Sequence, residues 1–145
     1  MFGFVYRTAR EGRGQQVLTE RVIEDGSLRS EASGFSFDLR IPWYRSLPLS
    51  CVEGLEVSLD GDSATAAEIE ITFNDRTYSL DELPPLYDEW WQVTDAARVA
   101  VPRAGGLAAG PHELDVTLAL RIPYIVEAGG RRLVMRERCV KTMSA

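Results

Sequence analysis

Chemistry in this chain would have to come from arginines, aromatic rings and carboxylates, because the usual catalytic sets are missing from its sequence. There is one histidine, His112, so no site built on two imidazoles from this chain can form. Cys51 and Cys139 make neither a disulfide framework nor a zinc-type spacing, and both read as small buried hydrophobes. No GxSxG elbow, HExxH pair, phosphate-cradling glycine loop or dinucleotide fingerprint is present. The carboxylate pairs Asp81/Glu82 and Asp88/Glu89 are sequence neighbours, whereas acid/base work needs carboxylates across a cleft with pKa values pushed apart. His112, after Gly110-Pro111 at a strand entrance, reads either as a hydrogen-bonded strand-end residue or as a proton shuttle or metal ligand.

The residues that stand out are aromatic and lie in proline-bearing loops. Pro42 and Pro48 bracket Trp43, Tyr44, Arg45 and Leu47, although loops of this kind are usually made of Gly, Asn, Asp and Ser. A second loop carries Pro84-Pro85, then Tyr87, Trp90 and Trp91, and Tyr124 follows Pro123. Adjacent tryptophans on an extended backbone face opposite ways, so one of Trp90 and Trp91 is expected in the core and the other outside. Three uses compete for these rings: packing under the loops, a platform for sugars or aromatic ligands, or anchors for a protein partner. Arg40 and Arg45 could bind a carboxylate, stack on a ring, or pair with acidic groups elsewhere in the chain.

Strands must position these loops. Phe35, Phe37, Leu39 and Ile41 alternate with Ser36, Asp38 and Arg40, and Pro42 ends the pairing because it has no N–H to give. Val17, Val22 and Ile23 suggest a strand across residues 15–24. Leu55, Val57 and Leu59 form another strand, stopped by Asp60-Gly-Asp62, and Ile69, Ile71 and Phe73 lead into a tight hairpin at Asn74-Asp75. A glycine is the residue expected at position 75 in such a turn. Leu80-Asp-Glu-Leu83 can make one helical turn before Pro84-Pro85 stops it. Arg98 to Val101 is short. The clearest periodicity is Leu114, Val116, Leu118, Leu120 and Ile122, and a last strand returns with Leu133 and Met135 inward.

No stretch sustains a 3.6-residue period, and the turn spacing is that of sandwiches and barrels. The expected fold is all-β: one antiparallel β-sandwich of about seven to nine strands over residues 1–145, with 1–13 an arm or edge strand. One echo links the loops. Leu39-Arg-Ile-Pro-Trp43 is matched by Leu120-Arg-Ile-Pro-Tyr124, which would bring both rings to one rim if the two strands run in the same sense.

The totals narrow the partners. Net charge is −6. Residues 51–100 hold twelve Asp/Glu against Arg76 and Arg98, a balance of −10, which argues against nucleic acid and could steer a partner. No apolar run approaches the ~18 residues of a membrane span. The first residues lack signal-peptide order, so a cytoplasmic address is expected.

The run Phe37-Asp-Leu-Arg-Ile-Pro-Trp-Tyr-Arg-Ser-Leu-Pro-Leu-Ser-Cys51 resembles the β subunits of bacterial C-glycoside deglycosidases. So do Phe73-Asn-Asp-Arg-Thr-Tyr-Ser-Leu-Asp-Glu-Leu-Pro84, Glu89-Trp-Trp91 and Gly106-Leu-Ala-Ala-Gly-Pro-His-Glu113. The resemblance implies a sandwich subunit partnered by a larger TIM-barrel α subunit that binds a divalent metal, usually manganese. It also implies cleavage of the carbon–carbon bond between a 3-oxo-sugar and an aromatic aglycone. The ketone acidifies the neighbouring carbon, and loss of that proton permits elimination of the aglycone. On this reading metal, cofactor and base belong to the α subunit, no residue of this chain is catalytic, and the chain alone is inactive. Trp43, Tyr44, Arg45, Leu47, Trp90, Trp91 and Tyr124 are then the expected contacts with partner or substrate. The alternative is a free-standing carbohydrate-binding or structural β-sandwich module.

Overall fold

The computed structural model describes residues 5–6 and 19–145. Its strands are β1 (Val5–Tyr6), β2 (Arg29–Glu31), β3 (Gly34–Leu39), β4 (Leu47–Pro48), β5 (Val52–Leu59) and β6 (Asp62–Ser63). They continue as β7 (Glu70–Phe73), β8 (Arg76–Ser79), β9 (Trp90–Trp91), β10 (Ala97–Pro102), β11 (Pro111–Val126) and β12 (Arg132–Ser144). Two five-stranded sheets, β1-β12-β11-β5-β6 and β2-β3-β10-β7-β8, make the sandwich, and β4 and β9 pair as a small third sheet. Seven of the twelve strands among the described residues are four residues or longer. All pairings are antiparallel except that of β1, which lies parallel to β12 at a sheet edge. Val5 and Tyr6 therefore act as an edge strand, and the rest of segment 1–13 lies outside the described residues.

Alternation explains the layers. In β11, Leu114, Val116, Leu118, Leu120 and Ile122 are all buried, and they face the buried Phe35, Phe37, Leu39, Ile71, Phe73, Val99 and Val101 of the other sheet within one core. Each such side chain contributes about 1.5–3 kcal/mol when fully buried. A one-residue slip of β11 against β12, where Val116 sits opposite Cys139, would turn that whole row to solvent. Both cysteines are free and buried, and burial pushes each thiol above its ordinary pKa. At Gly34, paired with Pro102, an added Cβ would sit 2.2 Å from the Val101 carbonyl oxygen, so that close approach admits only glycine.

Two expectations change in detail. The strand proposed for 15–24 does not form across its described part: residues 19–20 are helical, a turn follows, and only Ile23 makes a bridge, to Leu39. Val22 and Ile23 are consecutive and both fully buried, where the chain passes the edge of β3. The hairpin between β7 and β8 keeps its two-residue loop without glycine. Asn74 and Asp75 take φ values of 51° and 68°, the left-handed pair of a type I′ turn.

Candidate functional site

The echoed strand ends meet. After Leu39 the chain leaves β3, and Ile41 and Pro42 are still buried. Trp43, 6% exposed, packs its ring 4.4 Å from that of Tyr44 at an interplanar angle of 23°, and Tyr44 is 68% exposed. On the other sheet the regular pairing of β11 with β12 ends at Ile122 and resumes at Val126. Pro123 interrupts it, having no N–H, and Tyr124 stands in the irregular step, 48% exposed. Trp43 Nε1–H donates to the Tyr124 hydroxyl, and the Arg45 guanidinium lies 5.2 Å over the Tyr124 ring. One rim thus gathers residues from two sheets and from positions 81 residues apart.

The echo extends to the arginines. Arg40 pairs with Glu24 and donates from Nη1 to the Thr94 carbonyl at 2.9 Å. Arg121 pairs with Glu53 and donates from Nη2 to the Ser50 carbonyl at 3.0 Å. Each arginine therefore ties the loop that passes its strand end, and the two tied loops are themselves joined. Leu47 and Pro48 pair with Trp91 and Trp90, Leu49 N donates to Glu89 O at 2.8 Å, and Val93 N donates to Ser46 Oγ at 2.8 Å.

This arrangement separates the candidate contacts by depth. Tyr44, Arg45, Trp90 (43% exposed) and Tyr124 reach the surface, and Trp43 supports Tyr44 from beneath. Leu47 and Trp91, 1% and 2% exposed, belong to the core in this chain and hold the loops in place. Trp91 meets Phe73 edge-on at 5.2 Å and donates from Nε1 to Asp95 O at 3.1 Å. The adjacent tryptophans do face opposite ways, as their spacing requires. Tyr87, 67% exposed, adds a ring to the second loop. The roles of Arg121 and Ser46 were not read from sequence; repetition of Arg before Ile-Pro was the available signal for Arg121, and nothing marked Ser46.

Other chemistry-bearing groups are engaged structurally. His112 has Nδ1 2.6 Å from Asp60 Oδ2 and Nε2 2.7 Å from Ala108 O, so two acceptors face one ring. Only the imidazolium donates to both. The Asp60 contact raises the His112 pKa most and the Ala108 carbonyl adds to it, while the same histidine draws the Asp60 pKa down. His112 is thus the hydrogen-bonded strand-end residue. Asp81 and Glu82 cap the 3-10 turn at Leu80–Glu82, both accepting from Ser79 Oγ and Glu82 also from Ser79 N. Among the described residues no three His, Cys, Asp or Glu side chains gather as metal donors, and no helix is long and apolar enough to cross a membrane.

Fold and rim together define a small β-sandwich whose loops from both sheets build one aromatic–arginine surface. A family model for the C-glycoside deglycosidase beta subunit matches residues 14–124. The chain is 38% identical over 132 residues to a C-glycoside deglycosidase beta subunit of Microbacterium trichothecenolyticum, covering 89% of this chain and 98% of that one. It is 43% identical over 127 residues to a 3'-dehydrocarminate deglycosidase beta subunit of a Microbacterium species, covering 88% and 95%. A third relative, a C-glycoside deglycosidase beta subunit of Arthrobacter globiformis, is 36% identical over 88% of this chain and 96% of its own length. The chain belongs to the C-glycoside deglycosidase beta subunit family.

Proposed function

We propose that this chain is the beta subunit of a heteromeric C-glycoside deglycosidase and that the rim of Trp43, Tyr44, Arg45, Trp90 and Tyr124 is its contact with the companion subunit. A family name containing "beta subunit" implies such a companion. The complex cleaves the carbon–carbon bond between a 3-oxo-sugar and an aromatic aglycone, in the cytoplasm. The described residues of this chain bring together no metal donor set. By family resemblance, the divalent metal, manganese, and the catalytic groups belong to a barrel-shaped α subunit. The observation that carries the docking role is the convergence of two strand ends, from opposite sheets, on exposed rings held by indole, guanidinium and carbonyl contacts. Rings ordered this way lose little further freedom on binding, which is the condition for an interface hot spot.

Co-expression with the α subunit followed by size-exclusion chromatography tests this reading. The expected result is a heteromer that Tyr44→Ala and Trp90→Ala weaken while each variant chain still folds. A chain that elutes alone, wild type included, would overturn it. A sugar platform is the competing use of exposed Tyr44 and Trp90, and calorimetric sugar binding by the isolated chain with intact assembly in both variants would favour that use.

A further inference from the structure

Resting on the reading of the rim as a docking face, we propose that Arg45 is its charge-recognising residue and receives a carboxylate, an Asp or Glu side chain among apolar neighbours on the companion subunit. Several arginines of this sandwich have internal acidic partners. Arg40 has Glu24, Arg121 has Glu53, Arg29 and Arg98 share Asp38, Arg103 faces Asp62 and Arg138 holds Asp115. Arg45 differs from its echo neighbours. Among the described residues its guanidinium lies over the Tyr124 ring, and no carboxylate or carbonyl receives its N–H groups.

An exposed arginine without a partner ordinarily samples many rotamers. Here Tyr124 gives the guanidinium a platform, and Trp43 Nε1 fixes that ring by its hydroxyl. The result is a planar fork, held in position and unmatched among the described residues. A carboxylate fits that fork with two parallel hydrogen bonds. The surroundings decide the rest of the occupant's chemistry. Tyr44, Tyr124 and Val126 are exposed and uncharged, so a single carboxylate flanked by apolar groups complements them. A polyanion does not, because the chain carries −6 overall and −10 across residues 51–100.

The test is the dissociation constant of the complex with the α subunit, measured by calorimetry at low and high salt. Arg45→Met keeps an unbranched apolar stem beside the Tyr124 ring while removing the charge and the guanidinium fork. It is expected to weaken assembly about tenfold and flatten the salt dependence, and Arg45→Glu to weaken it about a hundredfold. Arg45→Lys, lacking the fork, should recover only part of the wild-type affinity. An Asp or Glu→Arg change on the companion that restores binding to Arg45→Glu would identify the partner group. Arg45→Met with wild-type affinity and salt dependence, while Tyr44→Ala still weakens assembly, would sink the carboxylate and leave the docking face standing. Tyr44→Ala without effect would instead remove the docking face itself. Wild-type-like melting of the Arg45 variants excludes a folding defect, since the side chain is exposed.

Discussion

The hydrogen bond from Trp43 to Tyr124 is the one link between the two strand ends that can be removed with both rings left in place. Tyr124→Phe deletes the hydroxyl that accepts from Trp43 Nε1 and keeps the ring under Arg45. A neutral hydrogen bond contributes about 0.5–1.5 kcal/mol net, and more when its donor is stranded away from water. Trp43 is almost covered, but Tyr124 is half exposed, so water can enter where the hydroxyl was. That places the cost near 1 kcal/mol, which for a 145-residue chain lowers Tm by about 2–4 °C. Trp43→Phe also removes buried ring area, so its own cost is larger and mixes two causes. The double-mutant cycle separates them. Urea unfolding of the four proteins should give a coupling energy of about 0.5–1.5 kcal/mol. A coupling below about 0.3 kcal/mol would refute the claim that this bond ties the strand ends together.

Three further outcomes follow from the same contacts. The His112 pKa lies above its ordinary 6.5, so its part of the stability of the His112–Asp60 pair is full below pH 6.5 and is lost as pH rises through the raised value. The Asp60 pKa lies below its ordinary 3.8, so its part is present above pH 3.8 and is lost as pH falls through the depressed value. The stability gap between wild type and His112→Gln should therefore be widest between these two ordinary values and shrink toward alkaline pH; a gap independent of pH contradicts the charged His112–Asp60 pair. Asp75→Gly should raise stability by up to about 1 kcal/mol, read as a higher urea midpoint, because glycine takes the left-handed conformation without a Cβ penalty. Gly34→Ala should cost about 2 kcal/mol or more in the same assay, since its Cβ meets a backbone carbonyl and not a flexible side chain.

Strand periodicity made much of the fold legible. The five alternating apolar residues from Leu114 to Ile122 and the row from Phe35 to Ile41 bury as their spacing demands. The opposite facing of Trp90 and Trp91 follows from the same geometry, and the paired Leu-Arg-Ile-Pro-aromatic strand ends pointed to a shared rim. What stayed hidden depends on chain crossings that no local pattern records. The His112 ring meets Asp60 from 52 positions away, and Arg121 meets Glu53 from 68 away. Loop burial was equally unreadable. Trp43 and Tyr44 are neighbours of similar type, yet one supports the rim, bonded to the Tyr124 hydroxyl across the sandwich, and the other forms its surface. The described part of the strand expected at 15–24 is instead a helical turn and a bend that put Val22 and Ile23 into the core side by side.

The central claim is that the rim docks a companion subunit, and one binding curve tests it most directly. Calorimetric titration of the α subunit with wild-type chain and with Tyr44→Ala should show assembly in the first case. The second should be at least about tenfold weaker, a loss of about 1.4 kcal/mol. Tyr44 is two-thirds exposed, so its truncation leaves the fold standing. Equal affinity for the two proteins, or no complex with either, would contradict the account.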